Sequence, residues 1–179
     1  MCQLLFVYTI KRFFIMEPLI IYVMGVSGSG KTTIGKKLSR KTTIPFFDAD
    51  DFHTVTNKEK MEAGFPLTDD DRAEWLLSIN ELAKRQMKSK GAIIACSALK
   101  EKYRTVLSHG ITVPLFWIFL QGNYELIKKR MDARTDHYMP PALLTSQFET
   151  LEIPQQSISV DISQSPDKIV EEIISQIRL

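Results

Sequence analysis

Cysteine, excess charge and long hydrophobic runs are all scarce in this 179-residue chain, and each scarcity excludes a class of protein. The two cysteines, Cys2 and Cys96, cannot build a disulfide framework, and neither belongs to a CxxC pair or lies near histidines at metal-ligand spacing. The formal net charge is only +2, so the basic surplus typical of nucleic-acid-binding proteins is missing. We therefore expect a protein of a reducing, cytoplasmic compartment with no nucleic-acid partner.

No hydrophobic run is long enough to cross a membrane. The apolar first fifteen residues are interrupted by Lys11 and Arg12, whereas a membrane helix needs about 20 apolar residues. The same segment lacks the basic start and small-residue cleavage site of a signal peptide. We interpret residues 1–15 as a dispensable N-terminal extension, with Met16 as the natural start, and expect no membrane partner. An interfacial anchor is the alternative.

The remaining chain has the composition of a single globular domain, residues 16–179, with 44% hydrophobic and 25% charged residues overall. Continuous apolar runs, typical of strands buried on both faces, occupy residues 19–24, 44–47, 92–96, 113–120 and 158–162. Helical patterns fall between them at 31–41, 70–89, 99–108, 123–134, 140–149 and 166–178. This alternation predicts an α/β fold with a five-stranded parallel sheet.

A phosphate-binding motif directly follows the first predicted strand. The sequence GVSGSGKT at 25–32 matches G-x-x-x-x-G-K-[ST], and a helical pattern follows it. Its backbone N–H groups would cradle phosphates, Lys31 would reach the β- and γ-phosphates of ATP, and the Thr32 hydroxyl would ligate Mg²⁺. The motif thus predicts a three-layer P-loop NTPase fold. The predicted nucleotide-binding residues are Gly25, Ser27, Gly28, Ser29, Gly30, Lys31, Thr32 and Thr33.

Two carboxylates replace the acid that many P-loop proteins carry on the third strand. The third apolar run, AIIACS, ends without an acidic residue, and no Asn-Lys-x-Asp guanine motif is present. Instead, Asp48 and Asp50 directly follow the second strand, whose carboxyl end faces the same crevice as the phosphate loop. One carboxylate could support Mg²⁺ while the other accepts a proton from an attacking hydroxyl. A solvated acidic turn is the alternative.

Further motifs follow one another in a recognisable order. They are DADDFH (48–53), NKEKM (57–61), GFPL (64–67), DDDRAEWL (69–76), CSALK (96–100), YR (103–104), HYMP (137–140) and SQFETLE (146–152). In order and spacing they resemble the gluconokinase family over residues 17–179. Shikimate kinases share the P-loop and the paired aspartates, but the glycine cluster that follows their third strand is missing here.

The resemblance implies the activity, the cofactors and the assembly. It implies a fold like those of nucleoside monophosphate kinases and shikimate kinase, with a helical lid at about residues 130–145. It implies phosphorylation of D-gluconate at the 6-hydroxyl, giving 6-phospho-D-gluconate and ADP, with ATP and Mg²⁺ as cofactors, and it suggests a homodimer. Two positions depart from the family pattern: Ala49 and Asp136 stand where glycine is common.

The family pattern also implies individual roles. The substrate contacts carried over to matching positions are Asp50, His53, Lys60, Arg72, Arg104, His137 and Gln147. We expect Asp50 to orient and deprotonate the 6-hydroxyl and Asp48 to support Mg²⁺, although the sequence allows the two to exchange these roles. A helix-cap or surface role is the alternative for His53, and a structural role for His137.

Basic residues near the predicted lid complete the candidate site. Arg130 and Arg134 lie one helical turn apart, on one face. We expect them to clamp the transferring phosphoryl group and stabilise its charge. A solvated basic face is the alternative. At the level of the whole protein, the alternatives are a kinase for another small hydroxy acid, such as shikimate, and a nucleotide-dependent metabolite sensor without turnover.

Overall fold

A five-stranded parallel sheet forms the centre of the protein. The computed structural model describes residues 17–133 and 141–177. The strands are β1 (Ile20–Met24), β2 (Phe46–Asp48), β3 (Ala92–Ala95), β4 (Leu115–Gln121) and β5 (Ile158–Asp161). They lie in the order β2-β3-β1-β4-β5, and every neighbouring pair is parallel. The parallel sheet predicted from the apolar runs is confirmed.

Seven α-helices lie between and after the strands within the described ranges. They are α1 (Lys31–Thr42), α2 (Val55–Glu62), α3 (Asp69–Gln86), α4 (Glu101–Ser108), α5 (Tyr124–Asp132), α6 (Pro141–Thr150) and α7 (Pro166–Ile177). Six of these match the predicted helical patterns; α2 and a short 3-10 helix at Ala49–Phe52 were not predicted. None of the described helices is both long enough and apolar enough to cross a bilayer.

The sheet separates two hydrophobic cores. Along β1, Ile21 and Val23 face the layer that contains α1 and α7, whereas Ile20, Tyr22 and Met24 face the layer of α3 and α4. All five of these side chains are buried. A strand buried on both faces requires apolar residues at every position, which is why the sequence of β1 shows a continuous rather than an alternating pattern.

The topology places the connecting loops of three neighbouring strands at one edge. Since β2, β3 and β1 are adjacent and parallel, the segments that follow these three strands emerge at the carboxyl edge of the sheet. The indole of Trp75, buried in α3, donates to the carbonyl of Ala49 over 2.7 Å. This bond ties the segment after β2 to the helical layer, and the fully buried Ala49 fits where the family usually has glycine.

Candidate active site

Glycines allow the phosphate loop to wrap tightly between β1 and α1. Gly28 and Gly30 have φ angles of +81° and +99°, in the left-handed region that side chains disfavour. A Cβ at Gly28 would lie only 2.8 Å from the side chain of Met131. Helix α5 therefore packs directly on the loop, and any larger residue at this glycine would force the Met131 side chain to move.

The lysine of the motif folds over its own loop. The Lys31 ammonium donates to the carbonyl oxygens of Gly25 and Val26, both over 3.1 Å. Ser29 is buried in the same turn, and its hydroxyl has no hydrogen-bond partner within the described part of the chain. Thr33 follows in the first turn of α1. The loop thus collects a cation and backbone N–H groups around a helix N-terminus, the arrangement that binds phosphates.

Two oxygen ligands suitable for a divalent cation lie together beside the loop. The Thr32 hydroxyl donates to Oδ2 of Asp48 over 2.7 Å, and the other carboxylate oxygen of Asp48 accepts from the backbone N–H of Asp50 over 3.3 Å. No group of three or more His, Cys, Asp or Glu ligands forms among the described residues. Mg²⁺ in kinases uses one or two carboxylates together with waters and substrate phosphates, so this pair fits it.

A cavity of about 590 Å³ opens beside the phosphate loop. Four of the predicted site residues line it: Ser27, Asp50, Arg72 and Gln147. Apolar side chains from α2, from the segment after it, and from α5 and α6 form much of the remaining wall. Its size is that of a small-molecule site, and its polar groups include both an acid and cations.

Helix α6 contacts the phosphate loop through one amide. Oε1 of Gln147 accepts a hydrogen bond from the backbone N–H of Ser27 over 2.7 Å. The two residues are 120 positions apart in the sequence. This bond brings a side chain that was predicted to bind the acceptor into direct contact with the loop that was predicted to bind the donor.

His53 is held in an apolar stack. Its ring lies parallel to that of Trp75, with 4.4 Å between the ring centroids, and the residue is buried. Burial, together with the nearby charges of Arg72 and Lys58, lowers the pKa of His53 to about 4, so the imidazole is neutral at pH 7. Its Nδ1 has no hydrogen-bond partner among the described residues. His53 is not one of the described residues that line the cavity.

Lys60 pairs with an acid at the start of α3. Its ammonium lies 2.7 Å from Oδ2 of Asp71. Asp71 also forms a capping box with Thr68, in which each side chain accepts from the other residue's backbone N–H. The hydrogen bond from Lys60 is the main reason why the pKa of Asp71 falls to about 2. Lys60 thus helps to fix the start of α3 and is not among the described lining residues.

Arg104 supports the loop after β3 from within. The residue is only 3% exposed, and its Nη1 donates to the carbonyls of Ala98 (2.9 Å) and Leu99 (3.3 Å). Its Nε and Nη2 donate to Glu101 over 2.9 and 2.6 Å. Ala98 has a φ of +45°, so this loop holds left-handed backbone without a glycine. The guanidinium compensates by binding the carbonyls of that turn.

Two cavity residues, Asp69 and Lys100, were not predicted. Asp69 begins α3 and accepts hydrogen bonds from Lys100 (3.0 Å), Lys102 and the hydroxyl of Tyr103. These donors, Lys102 first, hold the pKa of the Asp69 carboxyl well below its usual range. Three consecutive acids are typical of an exposed helix start, where they complement the helix dipole, and Asp69 lies 31 residues from Lys100. The only sequence signals were the presence of Asp69 in the DDDRAEWL motif and of Lys100 in the CSALK motif.

The predicted lid falls partly outside the described residues. Arg130, near the end of α5, donates through Nη2 to the carbonyl of Ile162, just after β5. Outside the described residues lie Arg134, Asp136, His137 and the N-terminal extension 1–15. The clamp by Arg130 and Arg134 therefore stays a prediction.

Known proteins resemble the chain over most of its length. The family model for shikimate kinase matches residues 27–178. A protein named "Probable gluconokinase" from Dictyostelium discoideum is 44% identical over 175 residues, which cover 90% of this chain and 88% of that protein. The thermosensitive gluconokinase of Escherichia coli (strain K12) is 41% identical over 155 residues, which cover 84% of this chain and 82% of that protein.

A solved structure gives the same result for the fold. The crystal structure of a gluconokinase from Sinorhizobium meliloti 1021 superimposes with a TM-score of 0.82 at 39% sequence identity. The superposition covers 90% of this chain and 93% of that one. The fold class predicted from the sequence is confirmed.

Proposed function

This chain belongs to the gluconokinase family of P-loop kinases, and from this premise we propose that it transfers the γ-phosphoryl group of ATP to the 6-hydroxyl of D-gluconate. The observation that carries the proposal is the composition of a single cavity. Its wall joins Ser27 of the phosphate loop, the carboxylate of Asp50 and the guanidinium of Arg72. A donor loop, a base and a cation for an acid acceptor are the three elements that this reaction needs.

The proposed chemistry is an in-line displacement. The backbone N–H groups of the phosphate loop and Lys31 bind the phosphates of ATP. Asp50 orients the 6-hydroxyl of the acceptor and accepts its proton as the new O–P bond forms. The bond between the γ-phosphorus and the β,γ-bridging oxygen breaks, and ADP leaves with the electron pair. Water is excluded from the site when the acceptor fills the cavity.

The contacts of the two aspartates support a division of roles. Asp48 accepts a hydrogen bond from Thr32, whereas Asp50 lines the cavity. We therefore assign the base to Asp50 and the cation ligands to Thr32 and Asp48. When bound there, Mg²⁺ would neutralise charge on the β- and γ-phosphates. Arg130 and Arg134 are proposed to bind the transferring group, which requires Arg130 to leave the carbonyl of Ile162.

Acceptor dependence of ADP release tests the function. The rate of ADP production from Mg-ATP would be measured in the presence of D-gluconate, shikimate, AMP or glucose, and without an acceptor. The Lys31→Ala variant serves as the catalytic control. We expect a rate with D-gluconate far above the others and its loss in the variant. Preference for shikimate or AMP would contradict the assignment of D-gluconate as the acceptor. ATP binding without turnover of any acceptor would indicate a sensor.

The assembly and location are further proposals. We propose a homodimer, as the family resemblance suggests. The chain has a mass of 20.5 kDa, and sedimentation equilibrium should give twice this value. We also propose a cytoplasmic location, which agrees with the buried free thiol of Cys96 and with the use of ATP as donor. Fractionation of cells that produce the tagged protein would test it.

A further inference from the structure

Three cations surround the ring of Tyr103 at one wall of the cavity. Lys100, Arg72 and Lys102 lie 5.6, 5.7 and 5.9 Å from the ring centroid. The Tyr103 hydroxyl donates to Asp69, and burial, followed by this acidic partner, raises the pKa of Tyr103 to about 12. Tyr103 therefore stays neutral and acts as a fixed centre around which the cations are arranged.

Only two of these cations reach the cavity. Asp50, Glu62, Asp69, Arg72 and Lys100 are the charged groups in its described lining. Three of them are acids, so an anionic acceptor entering this cavity is repelled unless its carboxylate meets a cation. Arg72 and Lys100 are the cations that the described lining provides.

The hydrogen bonds of both cations leave donors for a ligand. Lys100 is anchored on Asp69, whose two oxygens lie 3.0 and 3.3 Å from its Nζ, while an ammonium carries three donors. Arg72 donates through Nη1 to the carbonyls of Leu67 and Thr68. Within the described part of the chain, no hydrogen bond of Arg72 uses Nη2 or Nε, so its fork can still engage a carboxylate.

We propose that Lys100, together with Arg72, binds the carboxylate of the acceptor, and that Lys100 makes the site specific for an acid over a neutral polyol. The proposal rests on the function proposed above and adds a specificity-determining residue to it. Asp69 is a positioning residue, because it holds the Lys100 ammonium at the cavity wall. Lys60 and Arg104, the other cations expected at this end, are engaged by Asp71 and by Glu101 with its neighbouring carbonyls.

Lys102 provides a matched control for Lys100. Both lysines donate to Asp69 and both lie near the ring of Tyr103. The side chain of Lys102 is 58% exposed against 28% for Lys100, and Lys102 is not among the described lining residues. Substituting each lysine by methionine removes the charge and keeps an unbranched side chain of similar length.

The experiment compares D-gluconate with D-gluconamide, which keeps every hydroxyl and replaces the carboxylate by a neutral amide. KM and kcat would be measured for both acceptors at saturating Mg-ATP in wild type, Lys100→Met and Lys102→Met. We expect Lys100→Met to raise the KM for D-gluconate about 10- to 100-fold, the value of one hydrogen bond to a charged group. Its kcat and its KM for D-gluconamide should change less than about threefold. Lys102→Met should behave as wild type.

Each remaining outcome counts for or against the proposal. If Lys100→Met keeps the wild-type preference for D-gluconate over D-gluconamide, Lys100 does not recognise the carboxylate and the proposal is wrong. An equal loss with both acceptors would indicate a structural role and would also overturn the proposal. If Lys100→Met does not fold, Lys100→Gln replaces it, and Lys100→Arg should recover part of the preference. Wild type that phosphorylates neither acceptor would refute the proposed function itself.

Discussion

Burial decides the protonation of His53, a residue whose role was left open by the sequence. Against Trp75 the neutral ring packs well, but a charged imidazole would lose its hydration without gaining a partner. The sequence motif showed that a histidine lies close to the paired aspartates. It did not indicate that the histidine would be stacked in the wall of α3 rather than exposed in the cavity.

His53 should make the protein sensitive to acid. Its pKa is about 4 in the folded state and about 6.5 when unfolded, so between these values the unfolded chain binds more protons. The free energy of unfolding should therefore fall as the pH drops from about 6.5 to 4, by up to about 3 kcal/mol. Phenylalanine at this position keeps the stack on Trp75 and cannot titrate. Urea unfolding of His53→Phe should show a weaker loss over this range.

A second histidine variant serves as the control for this measurement. His109 caps the end of α4 and is exposed. His109→Gln should keep the pH dependence of the wild type. The explanation is wrong if His53→Phe and wild type lose stability in parallel between pH 6.5 and 4.

Substitutions of the two aspartates at the end of β2, Asp48 and Asp50, should have different effects. Asp50→Asn removes the proposed base and should lower kcat about 10²- to 10⁴-fold, with little change in the KM for ATP. Asp48→Asn removes a proposed Mg²⁺ ligand and should raise the Mg²⁺ concentration needed for half-maximal rate. Initial rates over a matrix of ATP and Mg²⁺ concentrations separate the two effects. The reverse pattern would exchange the roles of the two residues.

At the scale of elements, periodicity and apolar runs were sufficient wherever an element packs against the sheet. The five strands and six helices were predicted because each carries a continuous apolar run or an apolar face. Helix α2 was missed because its sequence, VTNKEKME, has no apolar face, and Asn57 is its only buried residue. Tertiary contacts hold it instead: the Asn57 amide donates to the carbonyl of Asp71, beside the Lys60 ion pair.

The end of α1 offers a test of local backbone strain. Thr43 caps this helix with a φ of +62° and is exposed. A β-branched residue disfavours this left-handed conformation, which glycine adopts readily. Thr43→Gly should raise the free energy of unfolding by about 0.5–1 kcal/mol, measured by urea titration. Thr43→Val keeps the branched Cβ and should give no gain; equal effects of the two variants would rule out strain as the cause.

At the scale of the whole molecule, the sequence was informative where residues are neighbours in the chain. The phosphate loop and the pair Asp48 and Asp50 are local motifs, and the fold brings them together at one edge of the sheet as predicted. The contacts of Asp69 with Lys100 and of Gln147 with Ser27 join residues 31 and 120 positions apart. No periodicity links such pairs, so these contacts could not be predicted from local patterns. Gln147 was expected at the site only from the family resemblance, and Asp69 and Lys100 were not expected there.

The N-terminal extension should be dispensable for the whole domain. The described hydrophobic cores begin at Leu19, and β1 begins at Ile20. Deletion of residues 1–15 should therefore leave the melting temperature within about 2 °C and kcat/KM within about twofold, because no described core residue is removed. Thermal unfolding and steady-state rates of the two forms provide the test. A large loss of stability would show that the domain needs the segment.

If Gln147 binds the acceptor and Ser27 the nucleotide, as predicted, the hydrogen bond between them makes the affinities for the two substrates depend on each other. A nucleotide that accepts a hydrogen bond from the N–H of Ser27 must displace the amide of Gln147. An acceptor that binds this amide must likewise weaken the contact of Gln147 with the loop. Such coupling is reciprocal by thermodynamic necessity, so ATP alters the dissociation constant of the acceptor by the same factor as the acceptor alters that of ATP. One hydrogen bond thereby relates the filling of the pocket to the state of the loop.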